Sequence, residues 1–290
     1  MPSRISKWKK YAAITIGCSA FTAIAIPSFA QQDSNELPIA VQMYTLRDFG
    51  DLEEQMAAVQ RADVGAIETV GDQGVSSDEL KALLEEYELE VISSHIPLED
   101  LRHRLDDTIT FNRAVGNDTL TLPYLAESER PETISEWQSL GQELGDIALR
   151  LSDEGFRLAY HNHEFEMEIL EGKTALEHMF DAAGPKLLAE LDIAWIARGG
   201  LDPAEYVGRF EDRLFAVHAK DNAPEGSAEE EGGFATLGMG VLDWEAILPA
   251  IESSESEWYI IEHDHPIDAE AVITEGSRFL REELTQLRME

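Results

Sequence analysis

The sequence predicts a closed parallel (β/α)8 barrel, and three observations carry that expectation. Eight short apolar runs alternate with eight amphipathic runs over residues 39–290. Strands alternating with helices pair in parallel through crossover connections, and eight such units close on themselves. Four runs in the second half end in ligand-type side chains: 158–160 before His161, 187–191 before Asp192, 214–217 before His218 and 258–261 before Glu262. A barrel assembles its site from such strand ends on one face. Finally, no glycine-rich phosphate turn follows the first strand and no Gly-x-Gly-x-x-Gly occurs anywhere, which argues against an open doubly wound sheet.

In chain order, 39–44 reads as the first strand, and 51–62 as a helix with Leu52, Met56 and Val59 on one face. A second strand, 66–70, precedes a helix over 76–87 that opens with a serine capping signal. The third strand, 90–94, finishes on His95, and a helix starting near Leu98 leads to strand 119–122. A long helical pattern follows over 131–154, with Pro131 suited to its first turn and Gly155 to its C-terminal cap. Then come strand 158–162, helix 174–183, strand 187–192, helix 203–210, strand 214–218, helix 243–252, strand 258–262 and helix 268–287. The connection 222–242 is long enough to predict a lid or functional segment.

Residues 1–30 read as a signal peptide rather than as part of the fold. Arg4, Lys7, Lys9 and Lys10 precede an uncharged, mostly apolar run, and Ser28-Phe29-Ala30 offers a cleavage site. The expectation is an exported, periplasmic or secreted protein, with 31–38 a flexible segment and 39–290 a single barrel domain. The sole cysteine, Cys18, lies in the leader, so the mature chain has no disulfide. Beyond the leader, 18 basic residues face 58 acidic ones, a net charge of −40. Such a field repels nucleic-acid phosphates and anionic lipid surfaces. Nucleic acid is excluded as a partner, as is a membrane once the leader is cut; homo-oligomerisation stays open.

Asp192, His218 and Glu262 each sit where a buried strand emerges. A bare carboxylate there is costly unless paired or bound to a cation. Several converging on one face predict a single divalent metal of the Mn, Mg, Zn or Fe kind, bound by oxygen and nitrogen ligands. The fourth ligand must come from Tyr160-His161-Asn162-His163-Glu164-Phe165-Glu166, where His161, His163 and Glu166 are all in reach. Chemistry beside such an ion is proton removal next to a carbonyl. His95, His163 and Glu166 are candidate bases; Glu190, on the same strand face as Asp192, is a base or supporting partner. Lys220 is placed to stabilise an oxyanion, with an ion pair to Asp221 or Glu190 as its alternative. Tyr44, Phe165 and Trp195 offer apolar faces to a sugar ring.

Several motifs together resemble the xylose-isomerase-like TIM barrels, in particular the sugar phosphate isomerase/epimerase group. They are Tyr-His-Asn-His-Glu-Phe-Glu at 160–166, Glu-Leu-Asp-Ile-Ala-Trp at 190–195, His-Ala-Lys-Asp at 218–221, Gly-Met-Gly-Val-Leu-Asp-Trp at 238–244 and Ile-Ile-Glu-His-Asp at 260–264. The resemblance implies an isomerase or epimerase acting on a small carbohydrate, with a 3-keto-glycoside lyase or a non-catalytic carbohydrate-binding barrel as alternatives. It also implies metal ligands from the fifth to eighth strands: Glu166, Asp192, His218 and Glu262. Many relatives carry a glutamate within the fifth strand where this chain has histidines. The remaining site residues on this reading are His95, His163, Glu190 and Lys220 as catalytic groups, and Tyr44, His161 and Trp195 as substrate contacts.

Overall fold

A computed structural model describes residues 37–289, and in it the eight apolar runs form one closed parallel barrel. Its strands are β1 (Ile39–Gln42), β2 (Ala66–Val70), β3 (Glu90–His95), β4 (Thr119–Leu122), β5 (Arg157–His161), β6 (Leu187–Asp192), β7 (Leu214–Ala219) and β8 (Trp258–Ile261). Each pairs in parallel with its neighbours in the chain, and β8 closes on β1 with Ala40 opposite Ile260. The leader read from residues 1–30 lies outside the described residues. Among those described, no helix is long and apolar enough to cross a membrane.

The helices are α1 (Leu52–Arg61), α2 (Ser77–Tyr87), α3 (Leu98–His103), α4 (Leu105–Ala114), α5 (Ile134–Asp153), α6 (Ala175–Ala183), α7 (Ile193–Arg198), α8 (Pro203–Val207), α9 (Trp244–Ser253) and α10 (Ala269–Leu287). They cover the barrel through one continuous apolar layer, in which the outward-facing Val41, Leu120, Tyr160 and Leu191 meet helix residues such as Met56, Leu144 and Leu280.

Four local departures from the predicted elements have physical causes. The first strand ends at Gln42, because its side-chain oxygen accepts the Tyr44 amide and starts a tight turn over Met43–Leu46. The helix expected from Pro131 begins at Ile134, where Thr133 and Glu136 form a reciprocal cap, leaving the proline in the connection. The run starting at Leu98 splits in two at Arg104. An additional helix, α7, follows β6 directly, and Asp192 caps it by accepting the Trp195 amide at 2.9 Å.

Inside the barrel, the floor is apolar and mostly small: Ala40, Ala66, Ala159 and Ala216 pack with Ile92, Phe215 and Ile260. Two residues further along each strand the inward positions become polar, with Gln42, Glu68, Thr121, His161, Glu190, His218 and Glu262 all buried. Two bulges set this upper layer. Ile67 faces Val91 while Glu68 faces Ser93, so Ile92 is the extra residue; likewise Ala189 faces Leu214 while Glu190 faces Ala216, making Phe215 the extra one. A bulge reverses the inside-outside alternation beyond it, and these two turn His95 and His218 into the lumen.

Candidate active site

The polar upper layer is a single network. His218 lies fully buried at its centre, with Nδ1 2.7 Å from Glu262 Oε2 and Nε2 2.8 Å from Glu68 Oε2 and 3.1 Å from Glu190 Oε1. His95 Nε2 is 3.1 Å from both Glu68 and Glu190. Gln42 donates to Glu68 at 2.6 Å and Thr121 donates to Glu190 at 3.1 Å, holding the two carboxylates in place. Beside them, the fully buried Lys220 ammonium lies 2.8 Å from each of Asp192, Glu262 and Asp264. Its partners are thus not the Asp221 or Glu190 expected from the sequence.

Charge follows from these distances. Burial alone would lower the His95 imidazole, but Glu68 and Glu190 outweigh it and raise it to about 9. His218 is also raised despite burial, chiefly by Glu262 and Glu190. Burial favours the neutral form of Glu262, yet Lys220 and His218 reverse this and hold it below the usual carboxylate range. Asp192 goes the other way: burial lifts it to about 6 against the pull of Lys220. Burial together with the neighbouring cations keeps His161 and His163 neutral, the latter lowered to about 3.

Two groups of side chains have the spacing to hold a cation, and they share His161 and His218. In one, ligand atoms of His161, Asp192, His218 and Glu262 all lie within 4.8 Å of one another; the other, of similar spacing, is His95, His161, Glu190 and His218. The first contains three of the four ligands read from the sequence. A cation fits it on chemical grounds as well: two imidazoles and two carboxylates suit Mn, Fe or Zn. His161 Nδ1 is buried without a hydrogen-bond partner, and His161 Nε2 faces Asp192 Oδ2 at 3.9 Å. On the far side of His218, Glu68 and Glu190 are placed as the carboxylates that orient a metal-binding histidine.

Glu166, the expected fourth ligand, is in neither group. It is fully buried in the turn Phe165–Met167, where its carboxylate accepts from the Tyr160 hydroxyl at 2.7 Å and from the His163 amide at 2.8 Å. Tyr160 points outward from β5 and packs against Phe180 of α6, so Glu166 belongs to the barrel–helix layer. Strand alternation gives the lumen position to His161 instead.

Above the network opens a cavity of about 790 Å³, lined at its inner end by Tyr44, His95, His161, His163, Glu262 and Asp264. Five predicted site residues, Tyr44, His95, His161, His163 and Glu262, therefore reach it directly. Glu190 and Lys220 do not line it; both lie beneath, fully buried. Trp195 backs His163 at 5.4 Å and stands beside Lys220 rather than lining the cavity. The long 222–242 connection contributes Phe234, which covers Lys220 at 5.1 Å and Trp195 at 5.2 Å. Asp221 holds that connection. Its carboxylate accepts the amides of Asn222, Gly238, Gly240 and Leu242 and the Trp244 indole N–H.

Sequence reasoning missed Gln42, Glu68, Thr121 and Asp264. For Glu68 a signal existed: a lone acid inside the otherwise uncharged strand Ala66–Val70.

A family model described as the xylose isomerase-like TIM barrel matches residues 56–283. The chain belongs to the xylose isomerase-like TIM barrel family. Within this enzyme family, the rhizopine catabolism protein MocC of Rhizobium meliloti is 29% identical over 149 residues, covering 47% of this chain and 45% of MocC. Inosose dehydratase of Geobacillus kaustophilus is 29% identical over 144 residues, covering 45% of this chain and 46% of the dehydratase. The matches thus span about half the length of these curated relatives. Among solved structures, a sugar phosphate isomerase/epimerase from Parabacteroides distasonis superposes with a TM-score of 0.70 at 20% identity, over 84% of this chain and 97% of that one. IolI protein with a bound zinc atom gives 0.69 at 14% identity, over 86% and 99%. At such identities the superpositions speak for the fold.

Proposed function

We propose that the protein is a divalent-metal-dependent carbohydrate enzyme that removes a proton next to a carbonyl. One observation carries the reading: His161, Asp192, His218 and Glu262 converge within 4.8 Å, with two of the four opening onto the floor of a ligand-sized cavity. A cation held by these four supplies Lewis-acid polarisation of a carbonyl and its adjacent hydroxyl. The chain's own groups supply the proton transfers. Neutral His163 lines the cavity and accepts the proton. His95, also lining the cavity and kept protonated by Glu68 and Glu190, donates one. Both rings adjoin His161, at centroid distances of 5.4 and 5.0 Å. Lys220 offsets the negative charge of Asp192, Glu262 and Asp264 from below.

Proton return to the opposite face gives epimerisation, and return to the neighbouring carbon gives isomerisation. A second reading, elimination, is favoured by a protonated His95 beside a neutral acceptor. There the C–H electron pair becomes the new double bond, and the departing β-oxygen leaves with its own pair and takes the His95 proton. Inosose dehydratase among the relatives supports the same direction. The leader read at residues 1–30 supports action outside the cytoplasm, and the net negative charge supports a neutral substrate.

The test is turnover of free sugars and keto-polyols in D₂O, with and without a chelator. Deuterium should enter beside the carbonyl, chelation should abolish exchange, and Mn should restore it. Unchanged turnover in chelated protein contradicts the proposal.

A further inference from the structure

Among the described residues Lys220 is the one buried lysine; Lys81, Lys173 and Lys186 are exposed. An ammonium is rarely buried unless it is paired, and this one lies 2.8 Å from each of Asp192 Oδ2, Glu262 Oε2 and Asp264 Oδ2. Two of those three carboxylates belong to the group spaced to hold a cation. Asp192 Oδ1 is engaged by the Trp195 amide at 2.9 Å, so Oδ2 is the oxygen Asp192 has left to offer an ion. Lys220 already stands on it.

The three contacts are not alike. Lys220 directs a hydrogen bond to Asp264, whereas Asp192 Oδ2 is buried without a hydrogen-bond partner although the ammonium is 2.8 Å away. That second contact is one of charge. Asp264 lies outside both cation-spaced groups, and the rings of Phe234 at 5.1 Å and Trp195 at 5.5 Å flank the same ammonium. Lys220 thus has partners of its own, a carboxylate and two aromatic faces, that do not depend on Asp192 and Glu262. Its flexible four-carbon stem allows a shift toward them.

Like charge supplies the reason to shift. An ammonium and a divalent ion sharing two carboxylates repel each other, and in a buried site that repulsion is poorly screened. Only one of them can hold Asp192 and Glu262 fully.

We infer that Lys220 is the protein's own cation for this group: it neutralises Asp192 and Glu262, gives them up to a bound metal, and withdraws onto Asp264 beside Phe234 and Trp195. Metal entry is then an exchange of cations, and Lys220 sets the affinity that an ion must exceed. This role differs from the oxyanion contact expected of Lys220 from the sequence. The inference rests on the cation group of the proposed function, but it is read from metal binding and from the lysine itself, without turnover.

Zinc titration of the chelator-treated full chain, with its lysines labelled with ¹⁵N, tests it. Wild type should show one lysine ammonium resonance protected from solvent, and that resonance should shift in step with zinc binding. Lys220→Met should abolish the resonance and bind zinc roughly tenfold tighter or more in competition with a fluorescent chelator, because the competing charge is gone. Its thermal unfolding should also gain more from saturating zinc than that of wild type. The wild-type resonance carries the test alone where the variant does not fold. Zinc bound by wild type with that resonance unmoved, or a folded Lys220→Met protein that binds zinc equally or more weakly, overturns the exchange while leaving the cation group standing. No zinc bound by either protein overturns both.

Discussion

The two halves of the barrel mouth use the same architecture for different ends. From β5 to β8, the strand ends deliver His161, Asp192, His218 and Glu262, the group able to hold a cation. From β1 to β4, they deliver Gln42, Glu68, His95 and Thr121, which fix the charge and orientation of that group, and their connections frame the open cavity. One half carries the group spaced to hold a cation, and the other half braces it and frames the cavity. The difference teaches that a buried carboxylate in a barrel has two stable settings: around an ion, or against histidines that its own charge keeps protonated.

The largest expected effect separates two residues of one motif. His161→Ala should lose stoichiometric metal and reduce turnover by about a thousandfold or more, since metal chemistry and orientation fail together. Glu166→Gln should keep its metal. Equal metal loss in both variants, measured by elemental analysis after gel filtration, would break the division.

Next in size is Glu68→Gln, on the bracing side. It should retain the site but weaken metal affinity by about 10–100-fold, the usual consequence of removing a carboxylate behind a ligating histidine. Competition with a fluorescent chelator measures this. An unchanged affinity would mean that Glu68 only neutralises charge.

Asp221→Asn should cost about 2–3 kcal/mol, because the five N–H donors now shared by the two Asp221 oxygens would meet one amide oxygen and an NH2 group that cannot accept. Thermal unfolding reads the loss, and faster amide exchange confined to residues 222–242 would assign it to the clamped connection.

The smallest effect concerns pH. Burial raises the Glu166 carboxyl from 4.5 to about 7. A raised carboxyl binds its proton more tightly in the folded state, so its stabilising contribution is complete below its ordinary value and is lost as pH rises through 7. Wild type should therefore lose stability between about pH 4.5 and 7 relative to Glu166→Gln, in denaturant titrations at each pH. Parallel curves would contradict the assigned burial effect.

These contrasts also mark what could be read before the fold was seen. Asp192, His218 and Glu262 were legible because each breaks an apolar run at its end, and the eightfold alternation was legible for the same reason. His161 against Glu166 was not, since which residue faces the lumen depends on where β5 ends and on Tyr160 turning outward to Phe180. Lys220 was seen as chemically active, but its true partners are brought together only by strand register. His95 was found, yet the reason it faces inward is the bulge at Ile92, which local sequence does not announce.

The most direct measurement is anomalous diffraction at the zinc or manganese edge from metal-soaked crystals. The account predicts one peak about 2.0–2.3 Å from ligand atoms of His161, Asp192, His218 and Glu262 together. A peak at the deeper His95 and Glu190 group, a peak coordinated by Glu166, or no peak at saturating metal would contradict it.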